Sequence, residues 1–130
     1  DETALHGLKV LLAEDNELNV EIAEFFLEDM GAETMQAWNG KEAVEAFRNS
    51  APGEIGVILM DIMMPVMDGL EAVQRIRALD RPDAKTVPII AMTANAFSED
   101  VERSRKAGMT EHFSKPLNAE TLKKVILRNI

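Results

Sequence analysis

Four short apolar runs in this chain of 130 residues each end in polar residues that could do chemistry. Glu14-Asp15 follows the first run, Asp61 follows the second, Thr93 ends the third, and Lys115-Pro116 follows the fourth. Short apolar runs bounded by turn residues are typical of strands buried in a parallel sheet, and ligands bind beyond the carboxyl ends of such strands. We therefore expect three carboxylates, a hydroxyl and an ammonium group to converge there.

This set of groups indicates a metal-dependent phosphoryl-transfer site. Three neighbouring carboxylates repel one another, and a hard cation such as Mg²⁺, which prefers oxygen ligands, would relieve that repulsion. An oxygen of Asp61 that the metal leaves free could attack phosphorus and form an acyl phosphate. Thr93 could donate a hydrogen bond to a phosphoryl oxygen, and Lys115 could supply the opposing positive charge.

Each of these residues also has an ordinary explanation when it is taken alone. A Glu-Asp pair at the end of a strand is usually the N-cap of the next helix, and a lone threonine or Lys-Pro pair carries little information. The methionines after Asp61 are better explained as apolar filler than as ligands, because thioethers are soft and Mg²⁺ is hard. The joint arrangement is what favours the site.

Composition excludes several classes of protein. The chain has 46% hydrophobic and 28% charged residues, which is typical of a single globular domain. It has no cysteine, so disulfides and thiolate zinc sites are excluded. The net charge of −9 argues against a nucleic-acid partner. No apolar segment approaches the roughly 20 residues that cross a bilayer, and no signal peptide precedes the first strand. We expect a cytoplasmic domain without direct membrane contact.

Strand-like and helix-like patterns alternate five times along the chain. Residues 1–7 are predicted to be a linker and residues 8–130 a single domain, and the absence of an initiator Met favours a domain taken from a longer protein. The second strand, Glu33–Trp38, is polar and is predicted to lie at an edge. This pattern predicts a flavodoxin-like doubly wound α/β fold, with a five-stranded parallel sheet of order 2-1-3-4-5 and five helices. Residues 81–86 are expected to form a polar connector.

The helical segments differ in how well they could pack. In the first, Ile22, Phe26 and Met30 recur at helical spacing with Ala23 and Leu27 alongside. Asn39 and Asn118 are predicted N-caps of later helices. The fourth, from residue 98 to 108, has no full apolar stripe, so we expect weak packing of the kind found in switching elements. A simple solvated surface helix explains that pattern equally well.

As a set, the residues at the strand ends resemble the receiver domain of two-component response regulators. The resemblance covers the chain from about Leu8 to Ile130, and the matching pieces are Glu14-Asp15, Asp61 followed by Pro65 and Gly69, Thr93-Ala94, and Lys115-Pro116. It implies that Asp61 accepts a phosphoryl group from a phosphohistidine.

The same resemblance implies a Mg²⁺ site at Asp61. Asp15, Asp61 and the backbone carbonyl of Met63 would hold the ion, with Glu14 helping through a water molecule.

Further roles follow from the resemblance. Lys115 would bind the phosphoryl group, Thr93 would move towards it on activation, and a cis peptide bond at Pro116 would aim Lys115 at the site. The family's switch position, three residues before the lysine, usually holds Tyr or Phe and here is His112. Because an imidazole is smaller and can titrate near neutral pH, we expect His112 to stay partly exposed near the fourth helix and to couple weakly to Thr93.

Finer motifs look like the receivers that are fused to hybrid sensor histidine kinases: residues 13–19, 92–96 and 108–109, together with the leading Leu5-His6-Gly7. The resemblance implies a receiver domain in a His-Asp phosphorelay, partnered by a histidine kinase core, a histidine phosphotransfer domain or both. The isolated domain would catalyse only its own phosphorylation and dephosphorylation, so we do not expect it to be an enzyme. The parent would be a histidine kinase, and the resemblance leaves open whether that parent is anchored in the inner membrane.

Three alternatives stay open. They are a binding module of the same fold that takes no phosphate, a stand-alone response regulator that acts as a conformational switch, and a Mg²⁺-dependent phosphohydrolase that uses Asp61 as nucleophile. The complete Asp, Thr and Lys set argues against the first. The hydrolase needs a second acid two residues after the nucleophile, where this chain has Met63, and a substrate cap for which no segment is long enough.

Overall fold

A computed structural model describes residues 4–93, 98–114 and 117–130. Within these ranges the chain forms five strands and six helices. The strands are β1 (Lys9–Ala13), β2 (Glu33–Ala37), β3 (Val57–Asp61), β4 (Ile89–Thr93) and β5 (Glu111–Ser114). The helices are α1 (Glu17–Asp29), α2 (Gly40–Asn49), α3 (Gly69–Arg77), α4 (Pro82–Thr86), α5 (Ser98–Ala107) and α6 (Ala119–Asn129).

The five strands form one parallel sheet in the order β2-β1-β3-β4-β5, so the predicted topology is confirmed. β2 lies at an edge, as its polar sequence indicated. The ends of β1, β3 and β4, at Ala13, Asp61 and Thr93, define what we call the carboxyl edge of the sheet. Their starts, at Lys9, Val57 and Ile89, define the amino edge.

Each face of the sheet is covered by its own apolar cluster. Alternate residues of the central strands point to opposite faces, as the pleat requires. Leu11 and Ile58 belong to the cluster under α2, α3 and α4, whereas Leu12 and Leu59 belong to the cluster under α1 and α6. Leu5, inside the predicted linker, is 1% exposed in the second cluster, and its amide donates to the carbonyl of Met30. Part of that segment therefore packs on the domain.

The prediction of five helices was wrong, because the segment expected to be a connector contains the short helix α4. Pro82 occupies its first turn, where the fixed φ of proline suits a helix. Arg81, the N-cap residue of α4, holds the segment against α2. Its guanidinium donates to Asp83 and to the carbonyls of Phe47 and Ser50, and it lies 4.6 Å from the centroid of the Phe47 ring. Such a tertiary anchor leaves no periodic signal in the sequence.

The apolar pattern predicted for α1 is confirmed in part, since Ala23, Leu27 and Met30 are buried. Met30 is buried, but Ile22 and Phe26 are only half-buried, and the buried stripe is Val20, Ala23 and Leu27. Phe26 still packs against the apolar cluster that α1 covers, whereas Leu18 and Phe25 are exposed at the solvent side of the helix.

The predicted N-caps are confirmed. The side-chain oxygens of Asn39 and Asn118 accept hydrogen bonds from the amides of Glu42 and Thr121, at 2.9 and 3.1 Å. Each cap satisfies an amide that the first helical turn leaves without a partner. The two caps fix where α2 and α6 begin.

The helix with the weak apolar pattern, α5, is fastened by a polar contact at its end. Its buried described side chains, Ser104 and Ala107, are small. The half-buried guanidinium of Arg77 donates to the carbonyls of Gly108 and Ala84, at 3.0 and 3.1 Å, and burial lowers the pKa of Arg77. The C-terminal end of α5 is therefore tied to α3 and α4.

In the ranges that the structure describes, every helix is too short or too polar to cross a membrane.

Candidate functional site

Three carboxylates meet at the carboxyl edge of the sheet. Glu14 and Asp15 follow β1 and Asp61 ends β3, its neighbour, so one oxygen from each lies within 4.8 Å of the others. Glu14 and Asp61 are 2% and 5% exposed, whereas Asp15 is exposed. The structure thus brings together the three acids that the sequence placed in one cluster.

Glu14 is fixed by both its backbone and its side chain. Its amide donates to the carbonyl of Ala37 at 3.0 Å, which extends the contact between β1 and β2. Its Oε1 accepts from the amide of Asn16 at 3.1 Å and from Nδ2 of Asn19 at 3.5 Å. The buried carboxylate is therefore oriented by the first turn of α1.

Asp61 is oriented by the loop that follows it. Its Oδ1 accepts a hydrogen bond of 3.2 Å from the amide of Met63. The loop returns tightly, because the amide of Gly69 donates to the carbonyl of Ile62, and a Cβ on Gly69 would lie 2.3 Å from the carbonyl oxygen of Asp61. Glycine is therefore required at position 69.

The same loop contains a strained residue. Val66 has a φ of 69°, a left-handed conformation that is costly for a β-branched side chain. Met63 and Val66 are both exposed at the surface. Strained backbone of this kind is often found at functional sites, and here the strain lies within a few residues of Asp61.

Thr93 reaches the same edge from β4. Asp61 pairs with Met92 in the sheet, so Thr93 lies one residue beyond that pair, and it is buried. Lys115 and Pro116 lie outside the described residues. Their predicted roles, including the cis peptide bond, stay predictions.

His112 lies on β5, where it pairs with Ala91, and it is half-buried. It borders a groove of about 240 Å³ together with Ser104 and Arg105 of α5 and Met109 of the following turn. This groove is separate from the acidic cluster. The predicted role of His112 as a switch stays a prediction.

The acidic cluster fits a magnesium ion. Its donors are carboxylate oxygens, the ligands that Mg²⁺ prefers, and a few such ligands suffice because the ion keeps several waters. Two of the three acids are buried, and burying like charges together is costly unless a counter-charge compensates.

Sequence reasoning missed Gln36 as a residue near the site. Its Nε2 donates to the backbone carbonyls of Glu14 and Ala37, at 3.3 and 3.1 Å. The one available signal was a long polar side chain at the next-to-last residue of the edge strand β2. That signal does not say which carbonyl the side chain reaches.

Comparison with known proteins gives the family. Residues 10–127 match the family described as response regulator receiver domain. The chain belongs to this family.

Two relatives of known sequence differ in architecture. Probable histidine kinase 1 of Oryza sativa subsp. indica is 35% identical over 147 residues, which cover 91% of this chain but only 15% of that protein. The polar-differentiation response regulator DivK of Brucella anthropi is 37% identical over 118 residues, which cover 88% of this chain and 92% of that protein. The chain therefore spans a small part of the kinase and nearly all of the regulator.

Two solved structures share the fold. The receiver domain of sensor histidine kinase PA1611 from Pseudomonas aeruginosa PAO1, solved with magnesium in its active-site cleft, is 35% identical with a TM-score of 0.85, over 95% of this chain and 97% of that one. The receiver domain of Ssk1, solved with the phosphotransfer protein Ypd1 of Saccharomyces cerevisiae, is 29% identical with a TM-score of 0.82, over 94% of this chain and 88% of the matched chain.

Proposed function

We propose that this receiver domain accepts a phosphoryl group on Asp61 within a His-Asp phosphorelay. The observation that carries the proposal is the buried carboxylate of Asp61 at the end of β3, within 4.8 Å of Glu14 and Asp15. A buried acid beside two others is costly for the fold and is explained by a function that uses all three.

The proposed reaction is an in-line displacement on a phosphohistidine. The hydrogen bond from the Met63 amide to Oδ1 orients the carboxylate, and its other oxygen, Oδ2, attacks phosphorus. An O–P bond forms, the N–P bond to the donor imidazole breaks, and the leaving nitrogen keeps the electron pair and takes up a proton. Asp61 then carries an acyl phosphate, which a second histidine or water can attack in the same way.

Asp15, Asp61 and the Met63 carbonyl would hold Mg²⁺, with Glu14 acting through water; the bound ion would neutralise charge on the phosphoryl oxygens. Thr93 would donate its hydroxyl to one of those oxygens, and Lys115 would supply positive charge. In this proposal His112 reports the state of the site only weakly, because it lies in the groove beside α5 and away from the acids.

The proposed partner is a histidine phosphotransfer domain that docks on α1. This helix begins two residues after Asp15 and exposes Leu18 and Phe25 by 64% and 67%. Its charged residues are all acidic: Glu17, Glu21, Glu24, Glu28 and Asp29. An apolar patch with a basic rim would complement this surface. The complex of the related Ssk1 receiver with Ypd1 supports a partner of this class.

The larger context is also a proposal. We infer that the domain belongs to a hybrid histidine kinase in the cytoplasm, exchanging phosphoryl groups with the kinase core as well as the phosphotransfer domain, and that the isolated domain is not an enzyme. We propose no contact with nucleic acid or with a membrane. The chain's −9 charge supports the first exclusion. A stand-alone response regulator is the second candidate, and the near-complete match to DivK favours it.

A labelling experiment tests the phosphoacceptor. Wild type incubated with radiolabelled acetyl phosphate and Mg²⁺ is expected to acquire an acid-stable, base-labile phosphoryl group, and Asp61→Asn is expected to acquire none because its amide is not a nucleophile. Asp68→Asn is the matched control, because asparagine keeps the N-cap of α3 and should be labelled like wild type.

The outcomes separate the alternatives. Full labelling of Asp61→Asn would disprove the assignment of Asp61, and no labelling of wild type would favour a module that takes no phosphate. Continuous release of inorganic phosphate at many turnovers per minute would favour the phosphohydrolase. A labelled wild type whose phosphoryl group is not passed to any phosphotransfer domain would favour the stand-alone regulator.

A further inference from the structure

The peptide between Glu14 and Asp15 lies just beyond the regular hydrogen bonding of the sheet. The paired residues of β1 and β2 end at Ala13 and Ala37, and the last bond runs from the Glu14 amide to the Ala37 carbonyl. The next group along the chain is the carbonyl of Glu14, whose peptide bond leads directly to Asp15. The orientation of this peptide sets where both acidic side chains point.

Gln36 supplies a hydrogen bond at this point. Its Nε2 donates to the carbonyl of Glu14 at 3.3 Å and to the carbonyl of Ala37 at 3.1 Å. Two carbonyl oxygens next to the same end of the amide identify that end as the NH₂ group, because an oxygen there would meet two other acceptors. In this contact Gln36 of the edge strand is therefore the donor, and the backbone of the Glu14–Asp15 pair is the acceptor.

This arrangement leaves a polar atom buried without a partner. Oε1 of Gln36 is buried and accepts no hydrogen bond from any residue that the structure describes. A buried acceptor without a donor is unfavourable and needs an explanation, and an apolar side chain at position 36 would avoid the cost. The other end of the amide holds the carbonyls of Glu14 and Ala37, and this contact offers an explanation.

We propose that Gln36 is a positioning residue for the Mg²⁺ site, fixing the Glu14–Asp15 peptide so that both carboxylates face Asp61. The proposal rests on the proposed function, because it assumes that the acidic cluster binds the ion. Gln36 itself does not contact the ion. Residues that orient ligands in this indirect way usually affect metal affinity more than they affect the fold.

The test compares Mg²⁺ affinity with stability of the metal-free protein. Gln36→Met keeps the length and volume of the side chain and removes both donors. We expect Mg²⁺ to bind this variant about tenfold more weakly in an NMR titration, with a metal-free melting temperature within about 2 °C of wild type. Gln36→Leu serves as a second variant if the methionine variant melts more than a few degrees lower.

Thr34→Val is the matched control. Thr34 lies two residues earlier on the same strand and face, and its hydroxyl donates to Glu24 on α1, away from the acidic cluster. The control loses one side-chain hydrogen bond from the same strand and should bind Mg²⁺ like wild type. A loss of affinity in the control equal to that of Gln36→Met would overturn the proposal, because it would show a general effect of weakening β2.

Asp15→Asn separates failure of this inference from failure of the proposed function. If wild type binds Mg²⁺, Asp15→Asn does not, and Gln36→Met binds with wild-type affinity, the site stands and the role of Gln36 is disproved. If wild type does not bind Mg²⁺ at millimolar concentration, both proposals fall. A tenfold weaker Gln36→Met beside an unchanged Thr34→Val supports the role of Gln36.

Discussion

At the amino edge of the sheet the structure has two pairs of oppositely charged side chains, whereas at the carboxyl edge three carboxylates lie together. Lys9 and Glu54 are 2.6 Å apart, and Arg81 and Asp83 are 2.7 Å apart. The pairing lowers the pKa of Glu54 and raises that of Lys9, chiefly through the hydrogen bond between them. At the other edge, Glu14 and Asp61 accept hydrogen bonds from the amides of Asn16 and Met63, and one oxygen of each lies within 4.8 Å of an oxygen of Asp15.

The contrast suggests that the charged residues at the amino edge serve mainly stability, whereas those at the carboxyl edge serve mainly the proposed phosphoryl transfer. We expect the two opposite pairs to contribute to stability at neutral pH without a bound ion. We expect repulsion among the three carboxylates to lower the stability of the metal-free protein, and we expect binding of a cation to raise it. If this division is correct, substitutions at the amino edge should lower stability without changing phosphorylation. Substitutions in the acidic cluster should impair phosphorylation without lowering the stability of the metal-free protein.

The largest effect is expected at Arg81. Arg81→Met keeps the length of the side chain but removes its hydrogen bonds to Asp83 and to the carbonyls of Phe47 and Ser50. It also removes the contact of the guanidinium with the Phe47 ring. We expect the melting temperature to fall by about 5 to 10 °C, because buried acceptors lose a charged donor. Calorimetry measures the change.

The rate of phosphorylation of Arg81→Met tests whether the two edges of the sheet are independent. Below its lowered melting temperature, Arg81→Met should accept phosphate from acetyl phosphate at the wild-type rate. Arg75→Met is the matched control, since its guanidinium forms an exposed i,i+4 pair with Glu71 and should matter little for stability. A slow but well-folded Arg81→Met would show that the two edges are not independent.

A smaller effect is expected for Asp83, and it depends on pH. The hydrogen bond from Arg81, followed by that from the Gly53 amide, lowers the pKa of Asp83 from 3.8 to about 2. A carboxyl whose pKa is lower in the folded state contributes its full stabilisation above the unfolded value, near pH 3.8, and loses it as the pH falls towards about 2. Asp83→Asn should therefore melt about 3 to 5 °C below wild type at pH 7, with the difference shrinking below pH 4.

Asp80→Asn controls for the loss of one negative charge, because Asp80 is exposed and lies three residues earlier. Its melting temperature should follow that of wild type across the same pH range. A gap between wild type and Asp83→Asn that stays constant from pH 7 to pH 2 would contradict the role of the ionised carboxylate.

The sequence predicted the fold well because the signals were local. Apolar runs such as residues 57–60, the caps at Asn39 and Asn118, and the polar edge strand are written in adjacent residues. The features that were not predicted depend on tertiary contacts. Helix α4 depends on an arginine that reaches residues more than 30 positions away, and the extent to which Ile22 and Phe26 are buried depends on how α1 packs on the sheet.

The candidate site was predictable for a different reason. In a parallel sheet the position of a residue at a strand end already determines which edge it occupies, so Glu14, Asp15, Asp61 and Thr93 could be grouped without knowing any distance. The contacts that orient those groups could not be predicted. Gln36 reaches a carbonyl 22 positions away, and the hydrogen bond from Asn19 to Glu14 depends on how α1 follows β1.

The smallest stability change is expected at Asp15, and its sign is opposite to that of the amino edge. Asp15→Ala removes an exposed carboxylate from beside two buried ones, so the metal-free protein should melt about 2 to 3 °C higher. Mg²⁺ should raise the melting temperature of wild type but not of the variant. At a concentration ten times the dissociation constant, the wild-type gain corresponds to about 1.4 kcal/mol.

Glu21→Ala is the control for this last comparison, because it removes one exposed carboxylate from α1 at a distance from the cluster. Its response to Mg²⁺ should equal that of wild type, since a charge outside the cluster does not hold the ion. If Asp15→Ala melts lower than wild type without Mg²⁺, the acidic cluster does not oppose folding. The proposed difference between the two edges of the sheet would then be wrong, because it predicts a higher melting temperature for this variant. If both variants keep the full response to Mg²⁺, the ion binds elsewhere. A higher metal-free melting temperature together with a lost response, in Asp15→Ala alone, is the result that repulsion between three neighbouring carboxylates requires.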